Sequence, residues 1–336
     1  MTWKCLFAFP KAGGRWSLDA LTELERESVK VLLNKKGRWL TEEELIEEIK
    51  EIDAVLAGSE PYTSKVINSA KKLKIIARVG VGYENVDLEA ATEKGIFVTW
   101  TPIPELARSV AEEALALMMA VLRYVPRADH HVRSGGFDIE GIAAHVKEAY
   151  HLTIGVLGLG RIGTEFAKLA RTLSSNVIYY DVIRKEQLEK ELGIKYVAFE
   201  ELLRMSDVIS IHVPLTPKTE KLIGEKEISL MKEGAVLINT SRGKIVDEKA
   251  LYKALVEGKL GGAGISVFSK EPPDESVPFY KLGDRLPNVV LYPHIGVGRH
   301  TAQRMLKTAI QDILAALRGG IPKYLLNKEV LEKLRK

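Results

Sequence analysis

The stretch Leu152-Thr153-Ile154-Gly155-Val156-Leu157-Gly158-Leu159-Gly160-Arg161-Ile162-Gly163 decides the fold. Its first half is a short apolar run of the kind that forms a buried parallel strand. Its second half is a G-x-G-x-x-G turn, and the amphipathic segment after it predicts a helix over about 161–173. The next strand candidate, 177–181, ends in Asp181, eighteen residues past Gly163 and near the spacing of about 20 expected of a ribose-binding acid. A bare G-x-G-x-x-G is weak, because glycine serves many tight turns. Strand, turn, helix and acid in this order point to a dinucleotide site. Gly158 permits the tight turn, Gly160 lets a pyrophosphate approach the backbone, and Gly163 lets helix and strand pack closely. Arg161 and Ile162 open the helix, whose unpaired N–H groups favour phosphate. Asp181 accepts hydrogen bonds from ribose hydroxyls and repels a 2′-phosphate, which favours NAD over NADP; nearby Arg184 works against that preference.

Working outward, the same alternation continues. Strands are expected at 208–213, 235–239, 262–268 and 289–292, with helices between them. Before the motif, strands are expected at 4–9, 53–58, 73–79 and 96–99. Helices are expected at 18–34, 63–72 and 87–94, the last stopped by Gly95, and Thr41 with Glu44 forms a capping box opening another. Pro102 and Pro104 break the chain, and Ser109 with Glu112 predicts a second capping box at the start of a helix running to Tyr124. A last long helix, about 301–317, ends at Gly319-Gly320. The pattern predicts an α/β protein of two doubly wound units joined by long helices. The stretch from Pro126 to Tyr150 gives no clear reading.

At about 150 residues per domain, 336 residues make roughly two domains. Lys and Arg total 49 against 45 acids, interspersed and without a basic block, so nothing calls for nucleic acid. The single cysteine, Cys5, excludes an internal disulfide and a Cys-cluster zinc site. No apolar run reaches the roughly 18 residues of a membrane span, and the opening apolar stretch is short and charged for a secretory signal. A cytoplasmic location is therefore expected. His130, His131, His145 and His151 match no metal-ligand spacing, and no metal is expected.

Three further stretches stand at predicted strand ends: Asn239-Thr240-Ser241-Arg242-Gly243, Val267-Phe268-Ser269-Lys270-Glu271-Pro272 and Tyr292-Pro293-His294-Ile295-Gly296. In an open parallel sheet that edge binds ligands. An Arg, a Glu and a His gathered there make one candidate site.

These stretches resemble the D-2-hydroxyacid dehydrogenase family. The resemblance begins at Arg78-Val79-Gly80-Val81-Gly82-Tyr83-Glu84-Asn85-Val86-Asp87 and continues through Ser109-Val110-Ala111-Glu112, the glycine motif and His212-Val213-Pro214-Leu215-Thr216. It ends with the Arg242, Glu271 and His294 segments, and so covers nearly the whole chain. It implies a Rossmann NAD-binding domain, 103–303, inserted into a flavodoxin-like substrate domain, 1–102 with 304–336. It implies a homodimer through the NAD-binding domains. Beside the glycine motif and Asp181, it implies cofactor contacts at Val110, His212, Pro214, Thr219, Thr240, Ser241, Ser266 and Gly296. The backbone N–H groups of Val79, Gly80, Val81 and Gly82 would hold the substrate carboxylate.

The chemistry suits the residue types. Reducing a 2-oxo acid needs a hydride, a proton and a seat for a carboxylate. Arg242 offers a planar fork for the carboxylate and polarises the carbonyl. His294 changes charge near neutral pH and suits proton donation, and Glu271 would steady its imidazolium. The expected activity is hydride transfer between NAD(H) and a small D-2-hydroxy or 2-oxo acid. The alternatives are an NAD(H)-sensing corepressor-like protein and a dehydrogenase of a phosphonate or other oxyanion.

The chain also departs from the family pattern. Ser266 stands where an aspartate is usual, and Trp100 where an asparagine is. Formate dehydrogenases carry a glutamine in place of Glu271, and phosphite dehydrogenases a lysine in place of Val81, so neither branch is expected. The chain's end at Lys336 fits a short form without a C-terminal regulatory domain.

Overall fold

The computed structural model describes residues 2–10, 16, 18–282, 286 and 288–334. The chain divides into two compact units, Met1–Leu106 with Val297–Lys336, and Ala107–Gly296. The divisions fall inside one long helix, Pro104–Leu122, and just before another, Arg299–Leu317.

The first unit is built on β1 (Trp3–Phe7), β2 (Val29–Leu33), β3 (Ala54–Ala57), β4 (Ile75–Arg78) and β5 (Phe97–Thr99). They lie parallel in the order β2-β1-β3-β4-β5, the flavodoxin-like order. Thr41 caps Glu42–Ile49 in a capping box with Glu44, and Gly95, with φ 71°, follows Leu88–Glu93. The 18–34 helix does not form. A 3₁₀ turn, Leu18–Ala20, and a short helix, Thr22–Arg26, stop at Ser28, which has φ 61°. Val29, Val31 and their neighbours then pair with β1 as an edge strand, where β-branched residues fit the pleat. The C-terminal segment is tied to β5 by buried Asn327, which accepts the Val98 N–H at 2.8 Å and donates to the Ile96 carbonyl at 2.9 Å.

The second unit holds β6 (Ile154–Leu157), β7 (Val177–Tyr180), β8 (Lys195–Tyr196), β9 (Val208–Ile211), β10 (Ala235–Asn239), β11 (Leu260–Ile265) and β12 (Val289–Leu291). The order β12-β11-β10-β9-β6-β7-β8 is the doubly wound Rossmann order with one added strand. Neighbouring residues along each strand feed opposite cores. On β9 and β10, Val208, Val236 and Ile238 join Phe166 and Met118, while Ile209, Ile211 and Leu237 join Leu251 and Phe279. Burial on both faces is why these strands read as unbroken apolar runs. Two-residue β8 was not foreseen. Ser109 and Glu112 do not open a helix either: the helix starts five residues earlier, at Pro104, because proline's fixed φ suits a first turn. Instead, Glu112 pairs with Arg108 within the helix at 2.9 Å. The stretch without a clear reading holds two short helices, Val125–Arg133 and Ile139–Ala143.

Candidate active site

The strand order reverses between β6 and β9, and the loops that follow these two strands meet there. Gly158, with φ 95°, lies so close to the β9 loop that a Cβ would stand 2.8 Å from Val213 and 3.0 Å from the His212 carbonyl. A Cβ on Gly163 would stand 1.9 Å from the Gly158 oxygen, so the helix Arg161–Leu173 can start here only with glycine. At Gly160 a Cβ would meet nothing within 4 Å. That open face at a helix N-terminus is what a pyrophosphate requires. Asp181 stands beside the turn: one carboxylate oxygen accepts the Leu159 N–H at 2.8 Å and the other the Ile183 N–H at 3.1 Å. Arg184 is turned to Glu189, its guanidinium donating at 2.9 and 3.0 Å. Buried Thr240 keeps a hydroxyl without a partner among the described residues. The open glycine, the acid and the orphaned hydroxyl fit a dinucleotide.

Other expected contacts have duties within the fold. Thr219 donates its hydroxyl to the Pro214 carbonyl at 2.6 Å and closes the turn after β9. Ser241 bonds the Val213 carbonyl. The His212 ring packs on Phe166 at 4.9 Å and meets the Ser210 hydroxyl at 2.9 Å, and burial pushes its pKa down to about 3. A ring held neutral in this way contributes backbone and shape, not charge. Val110 and Gly296 adjoin, since a Cβ on Gly296 would lie 3.1 Å from Val110.

Three strand ends bring an Arg, a Glu and a His together. After β10, Asn239 accepts the Ser241 N–H and donates to the Arg242 carbonyl, both at 3.0 Å, which fixes the backbone carrying Arg242. Gly243 follows, and a Cβ there would stand 2.0 Å from the Phe268 backbone. The loop after β11 is thereby brought against Arg242. Buried Glu248 anchors that loop, accepting the Ser269 N–H at 2.8 Å. Glu271 accepts the Phe268 N–H at 3.0 Å through one oxygen and meets His294 Nδ1 at 2.6 Å through the other. His294 follows β12 in a left-handed turn, φ 47°, and its N–H bonds the Ser266 and Tyr292 carbonyls at 3.0 Å. Burial works to raise the Glu271 pKa. The His294 bond and charge, the Phe268 N–H and the Arg242 charge outweigh it and hold the carboxyl below its usual range. Arg242, Glu271 and His294 thus gather at one edge. With Nδ1 turned to a carboxylate, Nε2 is the nitrogen left to exchange a proton with a ligand.

In the first unit, the Val79 N–H is bound by the Ala57 carbonyl at 3.0 Å, and that of Gly80 by Thr101 Oγ1 at 2.9 Å. Of the four expected carboxylate donors, two are therefore used within the fold, which leaves Val81 and Gly82. Two acids were missed. Glu248 has no motif of its own, and Glu113 is joined to Ser266 across 153 residues, a contact no local pattern records. Among the described residues, no group of His, Cys, Asp and Glu can hold a metal, and no helix is long and apolar enough to cross a membrane.

A Rossmann sheet with a dinucleotide cradle and an Arg, Glu and His at its edge defines a nicotinamide-dependent oxidoreductase. Residues 115–296 match the family described as D-isomer specific 2-hydroxyacid dehydrogenase, NAD binding domain. The chain is 44% identical over 292 residues to a glyoxylate reductase of Korarchaeum cryptofilum, covering 86% of each chain. It is 42% identical over 317 residues to a glyoxylate reductase of Pyrococcus furiosus, covering 92% of each. A crystal structure from Thermus thermophilus matches with a TM-score of 0.85 and 36% identity, over 97% of this chain and 100% of that one. The chain belongs to the D-isomer-specific 2-hydroxyacid dehydrogenase family. It is an NAD-dependent oxidoreductase acting between a 2-hydroxy acid and its 2-oxo acid.

Proposed function

We propose that this enzyme reduces a small 2-oxo acid, glyoxylate first among them, with Arg242, Glu271 and His294 as its working residues. The observation that carries the reading is the 2.6 Å contact between His294 Nδ1 and Glu271 beside Arg242. NADH, when bound, supplies the hydride. We assign it to the unit Ala107–Gly296, at Gly158, Gly160, Arg161, Ile162, Gly163, Asp181, His212, Pro214, Thr219, Thr240, Ser241, Ser266, Gly296 and Val110. The unit Met1–Leu106 with Val297–Lys336 is the substrate domain, with Val81 and Gly82 as the carboxylate donors of its 79–82 loop. Arg242 holds the carboxylate in its fork and draws electron density to the carbonyl oxygen. His294 Nε2 delivers the proton to that oxygen as it becomes a hydroxyl, and Glu271 steadies the cation until the proton leaves. Relatives named glyoxylate reductase support the substrate class.

The test is NADH oxidation by the purified protein on glyoxylate, hydroxypyruvate, 3-phosphohydroxypyruvate and a phosphonate analogue. Turnover on the first two is expected. Measurable NADH binding with no turnover on any acid sinks the reading and favours a sensing role.

A cytoplasmic homodimer completes the proposal. Val125, Val132, Phe137 and Ile139, on and between the two short helices of the second unit, are all exposed, Phe137 by 80% and Ile139 by 64%. Exposed apolar side chains this close in sequence support a protein interface here, and a second copy is the proposed occupant. Light scattering is expected to give twice the chain mass, and Phe137→Asp to halve it. A monomer in the unmodified protein refutes the assignment.

A further inference from the structure

Glu113 is a carboxyl that the chemistry above does not use. It sits within the long helix Pro104–Leu122 and is only 9% exposed. Its one hydrogen-bond donor among the described residues is the hydroxyl of Ser266, which is itself buried. A buried carboxyl with a single hydroxyl partner is costly to keep. Its surroundings explain its place. The Ser266 carbonyl accepts the His294 N–H at 3.0 Å, and a Cβ on Gly296, two residues past His294, would lie 3.5 Å from Glu113 Oε2. Glu113 is therefore joined through Ser266 to the left-handed turn at His294 and lies near Gly296 beyond it. Burial raises its pKa, while the Ser266 bond and the His294 charge pull the other way. The titratable and charged groups around this turn are Glu113 on the helix, His294 after β12, Glu271 after β11 and Arg242 after β10.

We propose that Glu113 is a positioning residue for His294: through Ser266 it holds the turn on which the histidine sits, and when ionised it sets a negative charge near the ring. The inference rests on His294 as the proton donor of the proposed reaction. Below its raised pKa, Glu113 is neutral, and glutamine then mimics it. Above that pKa, only the native residue carries a charge near His294.

The experiment follows glyoxylate reduction against pH in the full chain, for Glu113→Gln, Glu113→Ala, Ser266→Ala and the double alanine variant. NADH affinity by fluorescence and thermal unfolding are measured beside it. Glu113→Gln is expected to match the native enzyme at low pH and to fall behind by about tenfold as pH rises. Glu113→Ala and Ser266→Ala are expected to lose rate at every pH, and together to lose less than the sum of the two losses. In substrate-free protein, the His294 ring resonance, assigned by its loss in His294→Ala, is expected to move in Glu113→Gln. An unmoved resonance and a native pH profile in Glu113→Gln overturn the inference, as do additive losses in the double variant. Should Glu113→Ala fail to fold, the near-isosteric Glu113→Gln carries the test. Full activity in His294→Ala overturns the underlying reading instead, so the two failures are distinct.

Discussion

Replacing His294 by alanine is expected to lower kcat for oxo-acid reduction by about 10²–10⁴-fold, with NADH affinity little changed. The expectation follows from the way the ring is held. Nδ1 is committed to Glu271 at 2.6 Å, and the second Glu271 oxygen is fixed by the Phe268 N–H, so the ring is presented through Nε2. Only the proton transfer is lost in the variant, because the glycine turn and Asp181 lie elsewhere on the sheet edge. The pH dependence has a definite sign. A carboxyl with a depressed pKa stays ionised as pH falls through the ordinary carboxylate range, so Glu271 supports His294 to lower pH than an unperturbed glutamate. Glu271→Gln is expected to remove that support. Retained turnover in His294→Ala, measured by single-turnover NADH oxidation, contradicts the assignment.

Arg242→Ala is expected to cost on the order of 10²–10⁴ in kcat/KM, and to lower kcat as well as raise KM. A hydrogen bond to a charged group contributes about 1.5–3 kcal/mol, and a planar fork makes two of them. About 1.4 kcal/mol is a factor of ten. Arg242→Lys keeps the charge and loses the fork, and is expected to recover only part of the rate. The split between constants decides the role. A raised KM with native kcat means that Arg242 binds the carboxylate but does not polarise the carbonyl, which contradicts half of the assignment.

The parts of the fold legible in the sequence were those in which one cause dominates. The strands of the second unit are buried on both faces, so each announces itself as an apolar run, and Ala235–Asn239 and Arg161–Leu173 match their expected bounds. The 18–34 segment failed because Leu, Val and Glu there satisfy a helical period. The break lies in the backbone of Ser28, and the pairing of Val29–Leu33 with β1 is a tertiary choice. Ser109 misled for a similar reason: a capping-box spacing also occurs inside helices, where Glu112 instead pairs with Arg108. At the site, the gathering of Arg242, Glu271 and His294 was legible because each follows a strand on one edge. Glu113 was not, since it looks like any helix acid until β11 and its loop bring Ser266 against it.

One feature of the cradle bears on how such enzymes drift between nicotinamide carriers. Asp181 sits where a ribose reader is expected, but it is also a brace, since it holds the Leu159 amide in the middle of the glycine turn. Exchange for a smaller residue would make room for an extra phosphate and unbrace the turn in the same step. A lineage changing carriers would pass through a loosened intermediate unless a second substitution re-anchors Leu159 first. The bond from Asp181 to Leu159 thus ties any change of carrier at this position to the integrity of the glycine turn.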